Sequence, residues 1–445
     1  MTFQQQLSRV ARWAAWPVVI LAVASIAFVA AKVPANEQFS PYDEYVYLDY
    51  LHKVPSQLIV HRNEETGDFA RNEISCRGVI DYGAFGQACN IGAHEDDSEY
   101  PYTGRTGADI YTPAYFVITW ALAQPATWGG VGLLDAGRLT GALWLAAGTI
   151  LLYLTMRRLG VGTSLSLGLS LAVIATPMAY WSSTYLSTDA PALAVGAALG
   201  YAGVRIAQKD WSPWWFVPIA VLSTLIKVQN LAAVGLVVLA VVAYLATRAD
   251  ESVTAKVGVR ARIVAALRQP TTVVLAVSIV VSVALQGIWL VIRARVALDD
   301  GGIVFPAIDA LPLSIGGLVN ESLKFLFNVG FTGMTTGISG EIAWHLITAL
   351  SLAGVIGILI SARAQPVAAV VIAGTTLLIA LVNGPALSLA AYFLAGYYFP
   401  LPLRYGYILL PALVVCAALF LADRKWVARG GLLAGGALAL LAILP

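Results

Sequence analysis

Charge is what this chain has least of. Lys, Arg, Asp and Glu make up only 12% of its 445 residues, against 59% hydrophobic. A soluble domain carries about 25% charged residues, so the composition excludes one. Histidine is nearly as sparse: His52, His61, His94 and His345 show no metal-ligand spacing, and no Ser/His/Asp nucleophile pattern occurs. No Walker motif is present and the loops assigned below to the cytoplasm are short, which argues against an ATP-driven pump within the chain. No internal repeat or low-complexity tract is visible. The formal net charge of +2 says little about partners, and no nucleic-acid partner is expected.

What the chain has is apolar runs of about 17 residues or more along its whole length, the mark of an all-α polytopic membrane protein. Candidate spans fall near 13–32, 138–156, 164–181, 190–206, 213–227, 231–247, 271–292, 342–361, 366–382, 406–422 and 428–444. The first follows Arg9 and Arg12 and resembles a signal peptide; its length and the further spans favour an uncleaved helix. The distribution of Arg and Lys orients the set. With the N-terminus inside, Arg157–Arg158, Arg205 and Lys209, the basic run Arg248–Arg268, Arg363 and Arg424–Arg429 all become cytoplasmic, and about 11 spans satisfy every group. Counting 110–128 as a further span would invert the later groups, so that stretch is expected at the outer surface.

The chain therefore reads as one integral membrane domain, 1–445, with a long first extracytoplasmic loop at 33–112 and further outer loops at 293–341 and 383–405. The first loop holds over half of the 25 Asp and Glu residues, which places any chemistry at the outer face. It also holds Cys76 and Cys89, expected to form a disulfide in an oxidising compartment. Cys416 lies in an apolar run as a small hydrophobe.

Asp43 and Glu44 stand about ten residues beyond the first span. They are either an ordinary solvated acidic pair or a site in which one carboxylate accepts a proton. The second would hold the first or, with it, bind a divalent metal such as Mg or Mn. Asp189, in "LSTDAPALAVG", is a helix cap, a site residue or both. Lys227 and Arg404 sit inside "STLIKVQNLAAV" and "FPLPLRYGYILLP". A buried cation needs an anion, and a phosphate is the obvious one at a membrane surface; snorkelling is the plainer alternative for Lys227. Arg138 either pairs with Asp135 or faces the site. Arg293 and Arg295 fit headgroup contact, and the tyrosines along 42–50 fit an interfacial belt.

In order along the chain, "YDEYVY", "YTPAYFVITW", "GRLTGALWLAAGTILLYLTMRRLG", "TPMAYWSSTYLSTDAPALAV", "STLIKVQN" and "LRYGYILLP" resemble the motifs of GT-C membrane glycosyltransferases. The likeness is to the branch of protein O-mannosyltransferases and the lipid A aminoarabinose transferase. It implies a polyprenyl-phosphate-linked sugar donor and a glycan, lipid or protein acceptor. Transfer would occur with inversion at the outer face of a bacterial inner membrane. It also implies catalytic roles for Asp43, Glu44 and Asp189, with Asp43 as general base, and donor-phosphate contacts from Lys227, Arg404, Tyr405 and Arg138. The competing class is a transporter or flippase of a lipid-linked or anionic solute, using the same intramembrane charges; a non-catalytic scaffold of envelope assembly is a third.

Overall fold

A computed structural model describes residues 3–90, 96–248, 258–298, 311–395 and 398–444. Among them there is no strand, only isolated bridges. The fold opens with the apolar α1 (Phe3–Lys32), followed by a cap containing α2 (Glu44–Lys53), α3 (Asp68–Arg77) and α4 (Ala114–Trp128). The bundle follows as α5 (Leu133–Leu139), α6 (Gly141–Arg158), α7 (Thr163–Ile174), α8 (Pro177–Ser183), α9 (Ala192–Ala207), α10 (Phe216–Ile226) and α11 (Leu231–Arg248). It closes with α12 (Val259–Leu267), α13 (Pro270–Arg295), α14 (Ile315–Phe327), α15 (Ile338–Ile360), α16 (Val367–Ala395), α17 (Leu410–Leu421) and α18 (Lys425–Ile443).

Each of the eleven expected spans coincides with helix, but they differ in kind. Among the described residues, eight helical stretches are long and apolar enough to cross a membrane, or nine if α7 and α8 count as one broken span. The helices α9 and α10 are shorter. The break between α7 and α8 is a 61° bend, and Thr176 and Pro177 explain it. Thr176 caps α8 by accepting from the Ala179 amide at 3.2 Å, and Pro177 opens the new helix, where its missing N–H costs nothing. At the far end, α16 runs on to Ala395 through residues 383–395, expected in a loop. The sequence there, "NGPALSLAAYFLA", has no charge to end a helix, and Pro385 is accommodated inside it. The segment 293–341 likewise contains a helix, α14, while its residues 299–310 lie outside the described ones.

The two ends of the bundle are chemically distinct. At one end Arg158 and Arg205 share Asp210, at 2.6 and 3.3 Å. At the other, reached along α6 about 27 Å away at 1.5 Å per residue, Arg138 meets the acidic cap. Lys32, ending α1, bonds the Leu444 carbonyl at 2.7 Å, so α1 and α18 finish on the same side. Close helix contact is set by glycine: a Cβ on Gly141 would lie 1.9 Å from the Ser183 carbonyl, and one on Gly435 equally close to that of Gly168.

The cap is stitched as a loop domain must be, by hydrogen bonds and a crosslink. Cys76 and Cys89 form a disulfide, their Cα atoms 4.6 Å apart. Arg71 pairs with Asp97 and donates to the Gly104 carbonyl. Cys416 is buried and free in α17.

Candidate active site

Asp43 stands at the start of α2, where its carbonyl accepts from the Tyr47 amide at 3.2 Å but its side chain caps nothing; its backbone is left-handed at φ 65°. Aspartate tolerates that conformation better than most residues. The turn sends its carboxylate away from α2 and across to the late part of the chain. Oδ2 accepts from the Arg404 guanidinium at 2.6 Å, and Oδ1 from the Tyr102 hydroxyl at 2.5 Å. Tyr102 is itself left-handed, in a "YTG" turn.

Lys227 arrives from a helix break. Its backbone is extended (φ −159°, ψ 127°) between α10 and the turn leading into α11. Carbonyls freed at such a break need donors inside a membrane, and they have them: Asn230 bonds Ser223 O at 2.8 Å, Gln286 bonds Thr224 O at 2.6 Å, and Thr112 bonds Leu225 O. The ammonium then reaches Asp189 Oδ1 at 2.5 Å. It also lies over the rings of Tyr405 and Tyr111, 5.2 and 5.8 Å from their centroids.

Asp189 joins the two halves. Its other oxygen is 3.5 Å from Arg404 Nε, and no side chain caps α9. The cap expected of it is supplied by a backbone turn, Ala192 N to Asp189 O at 3.0 Å. The result is a four-membered alternation, Asp43–Arg404–Asp189–Lys227, drawn from four separate segments. Asp189 and Lys227 are buried; the Asp43 side chain keeps 26% exposure. Arg404 Nε is buried and, though it faces Asp189 Oδ2 at 3.5 Å, makes no hydrogen bond.

Glu44 is elsewhere. It is fully buried and forms a bidentate pair with Arg138, at 2.8 and 2.9 Å. The amides of Leu186 and Ser40 complete its coordination at 2.7 and 2.8 Å. A carboxylate has about four acceptor positions, and all are used. Arg138 is equally committed, to the carbonyls of Asn36 and Gln38 and over the Tyr185 ring at 4.9 Å. Asp135, the local partner considered for it, is the looser contact at 3.5 Å. Glu44 therefore has no lone pair to give a metal, and Asp43 and Glu44 face different partners. Among the described residues there is no group of three or more His, Cys, Asp or Glu arranged for a metal ion.

Arg293 bonds Asp109 at 2.6 Å, and Trp289 on the preceding turn bonds Ile110 O at 3.2 Å. These contacts dock α13 on the cap rather than on the cluster. Burial pushes the Asp109 carboxyl above its usual range, with Arg293 opposing. His52 stacks on Phe69 at 4.3 Å. Two aromatics that sequence reading left in the interfacial belt or unremarked belong to the site. Tyr42 packs edge-on against Trp181 at 5.5 Å with Arg404 over its face at 5.1 Å; its place beside Asp43 was the available signal. Tyr102 had none, since nothing in "EYPYTGRTG" sets it apart from a turn.

An apolar cavity of about 150 Å³ opens between α6, α9, α11, α16 and α17. Small residues of α9, among them Gly196, Gly200 and Gly203, make room for it. Its lining includes Gly196, Ala233 and Ile408, a short way along the chain from Asp189, Lys227 and Arg404 respectively.

No protein-family model and no curated protein matches the chain.

Proposed function

We propose that the chain is a GT-C-like glycosyltransferase that moves a sugar from a polyprenyl phosphate to an acceptor hydroxyl. The observation that carries the reading is the contact of Asp43 with Arg404 and Tyr102 at the mouth of a buried pair of cations. A lipid phosphate is an anion that must be held where the membrane ends. Arg404 and Lys227 are cations of the right kind, one able to bind two oxygens and one a point charge. The apolar cavity between the helices, whose lining runs from Gly196 and Ile408 to Gln208, suits an isoprenoid chain better than a polar solute.

The chemistry follows from those charges. Asp189 and Asp43 balance the two cations. A donor phosphate competes for Arg404, and Asp43 is released to the partly exposed side where an acceptor arrives. The acceptor oxygen bonds to the anomeric carbon as the bond from that carbon to the phosphate oxygen breaks. The acceptor proton passes to Asp43, and the electron pair leaves with the polyprenyl phosphate, stabilised by Arg404 and Lys227. Attack opposite the leaving phosphate inverts the anomeric centre. Glu44 and Arg138 hold the loop that carries Asp43. No step is assigned to a divalent metal, because Glu44 has no lone pair left for one.

The same reading orients the chain. Eleven crossings, with α7–α8 as one and the shorter α9 and α10 as two, put the cluster at the outer face of a bacterial cell membrane, with α4 lying on the surface. Thiol labelling of a cysteine placed at position 127 tests this; labelling from the cytoplasmic side alone is incompatible with it.

The deciding experiment gives purified protein in nanodiscs a radiolabelled polyprenyl-phosphate sugar. Release of polyprenyl phosphate with transfer of the label supports the enzyme. Movement of intact donor across proteoliposomes, without cleavage, would establish a flippase instead.

A further inference from the structure

A further charged pair, the buried Glu321 with Lys324, lies outside the site, on α14. This helix turns an apolar stripe outward and buries Glu321 together with Phe325 and Leu326. Ile315, Val319, Leu323 and Phe327, at four-residue spacing, are all exposed, while Glu321 is fully buried. A charge buried this completely needs close partners, and the choice of partners tells its task.

The partners of Glu321 show what that task is. Its Oε1 accepts from Lys324 at 2.6 Å, from the Tyr398 hydroxyl at 2.9 Å and from the Leu401 amide at 3.2 Å. Lys324 then bonds the Leu401 carbonyl at 2.8 Å. Both backbone groups of one residue, three positions before Arg404, are thus held by a single helix. Two positions after Arg404, Gly406 lies against Phe325: a Cβ there would come within 2.6 Å of the ring. Gly384 of α16 lets α14 settle close enough to do this, since a Cβ at 384 would lie 2.1 Å from the Glu321 carbonyl. Tyr398 is further fixed where its carbonyl accepts from the Leu311 amide at 3.0 Å.

From this we infer that Glu321 and Lys324 are positioning residues for Arg404. They clamp Leu401, α14 closes on Gly406, and the short segment between has its guanidinium aimed at Asp43 and Asp189. The clamp matters because the backbone around Arg404 is a 3₁₀ segment, 403–409, preceded by prolines at 400 and 402. Such a segment has few bonds of its own to fix a side chain. The importance of Arg404 to a ligand phosphate rests on the function proposed above; the clamp itself does not.

Two measurements on the full chain in lipid nanodiscs keep those apart. The first is hydrogen–deuterium exchange. Glu321→Ala should raise exchange in residues 398–409 while α6 and α11 keep their protection, and Glu321→Gln, which retains an acceptor for Leu401, should restore most of it. Unchanged protection at 398–409 in Glu321→Ala overturns the clamp, whatever the protein binds. The second is a double-mutant cycle with polyprenyl phosphate as the probe. Glu321→Ala should weaken binding roughly tenfold or more in the wild-type background and cause no further loss in Arg404→Ala. Equal losses in both backgrounds would show that Glu321 acts elsewhere. A wild-type protein that ignores polyprenyl phosphate sinks the proposed function and leaves the exchange result to decide the clamp. Lys324→Met, which leaves Tyr398 and the Leu401 amide on Glu321, runs the same series if Glu321→Ala fails to fold.

Discussion

Asp43 and Glu44 share a peptide bond but serve different arginines. Asp43 meets Arg404 at 2.6 Å, at a partly exposed position, while Glu44 meets Arg138 at 2.8 Å with neither side chain exposed. The left-handed backbone of Asp43 separates them. The two neighbouring acids thus occupy different surroundings, one partly exposed and one fully enclosed.

Removal of one partner from the buried pair leaves the other charge uncompensated, which typically costs about 3–5 kcal/mol. Glu44→Gln and Arg138→Met are therefore expected to act on folding, with lower thermal stability in detergent and less monodisperse protein. A Glu44→Gln variant of wild-type stability that has lost turnover would instead make Glu44 a participant in chemistry.

Asp43→Asn keeps the side chain's shape and the Tyr102 contact. It removes the proton acceptor, and general-base contributions run at about 10²–10⁴-fold. Turnover should fall within that range while the fold and polyprenyl-phosphate binding survive. Near-wild-type turnover, measured where chemistry limits the rate, would move the base to Asp189.

Arg404→Ala and Lys227→Ala should each weaken polyprenyl-phosphate binding or slow leaving-group departure by about 3–4 kcal/mol, as for other preorganised donors. Arg404→Lys should not restore function, because an ammonium cannot span Asp43 and Asp189 as the guanidinium fork does. Full rescue by lysine would reduce Arg404 to a simple counter-charge.

Tyr102 supplies a pH test. Burial first, and then the charge of Asp43, push its phenol well above its ordinary value of 10.0. The unfolded phenol ionises near 10 and the folded one higher, so the folded state holds the extra proton. The contribution is fully present below pH 10 and is lost as pH rises through the folded value. Thermal unfolding midpoints followed from about pH 8.5 to 11 should decline less steeply in Tyr102→Phe than in wild type. Matching slopes would mean that this phenol is not held as the structure has it.

The apolar runs determined the helices, because a segment about 20 residues long without charge has few other ways to satisfy its backbone in lipid. Local chemistry also marked Lys227 and Arg404, since a cation inside an apolar stretch stands out without any partner in view. It marked Asp189 too, though not whether the carboxylate served α9 or the site. Less was legible where a run hides a bend, as at Thr176 and Pro177, or where a loop and a helix share a composition, as in 383–395.

Pairing was decided by the tertiary structure alone. Glu44 finds Arg138 at 94 residues' separation and Asp43 finds Arg404 at 361, while Lys227 spans 38 to reach Asp189. Coulomb and hydrogen-bond energies depend on distance through space, which sequence separation does not encode. The sequence determined which charges the membrane would have to tolerate; only the packed helices and a left-handed turn at Asp43 decided which of them neutralise each other and which stands at the mouth of the site.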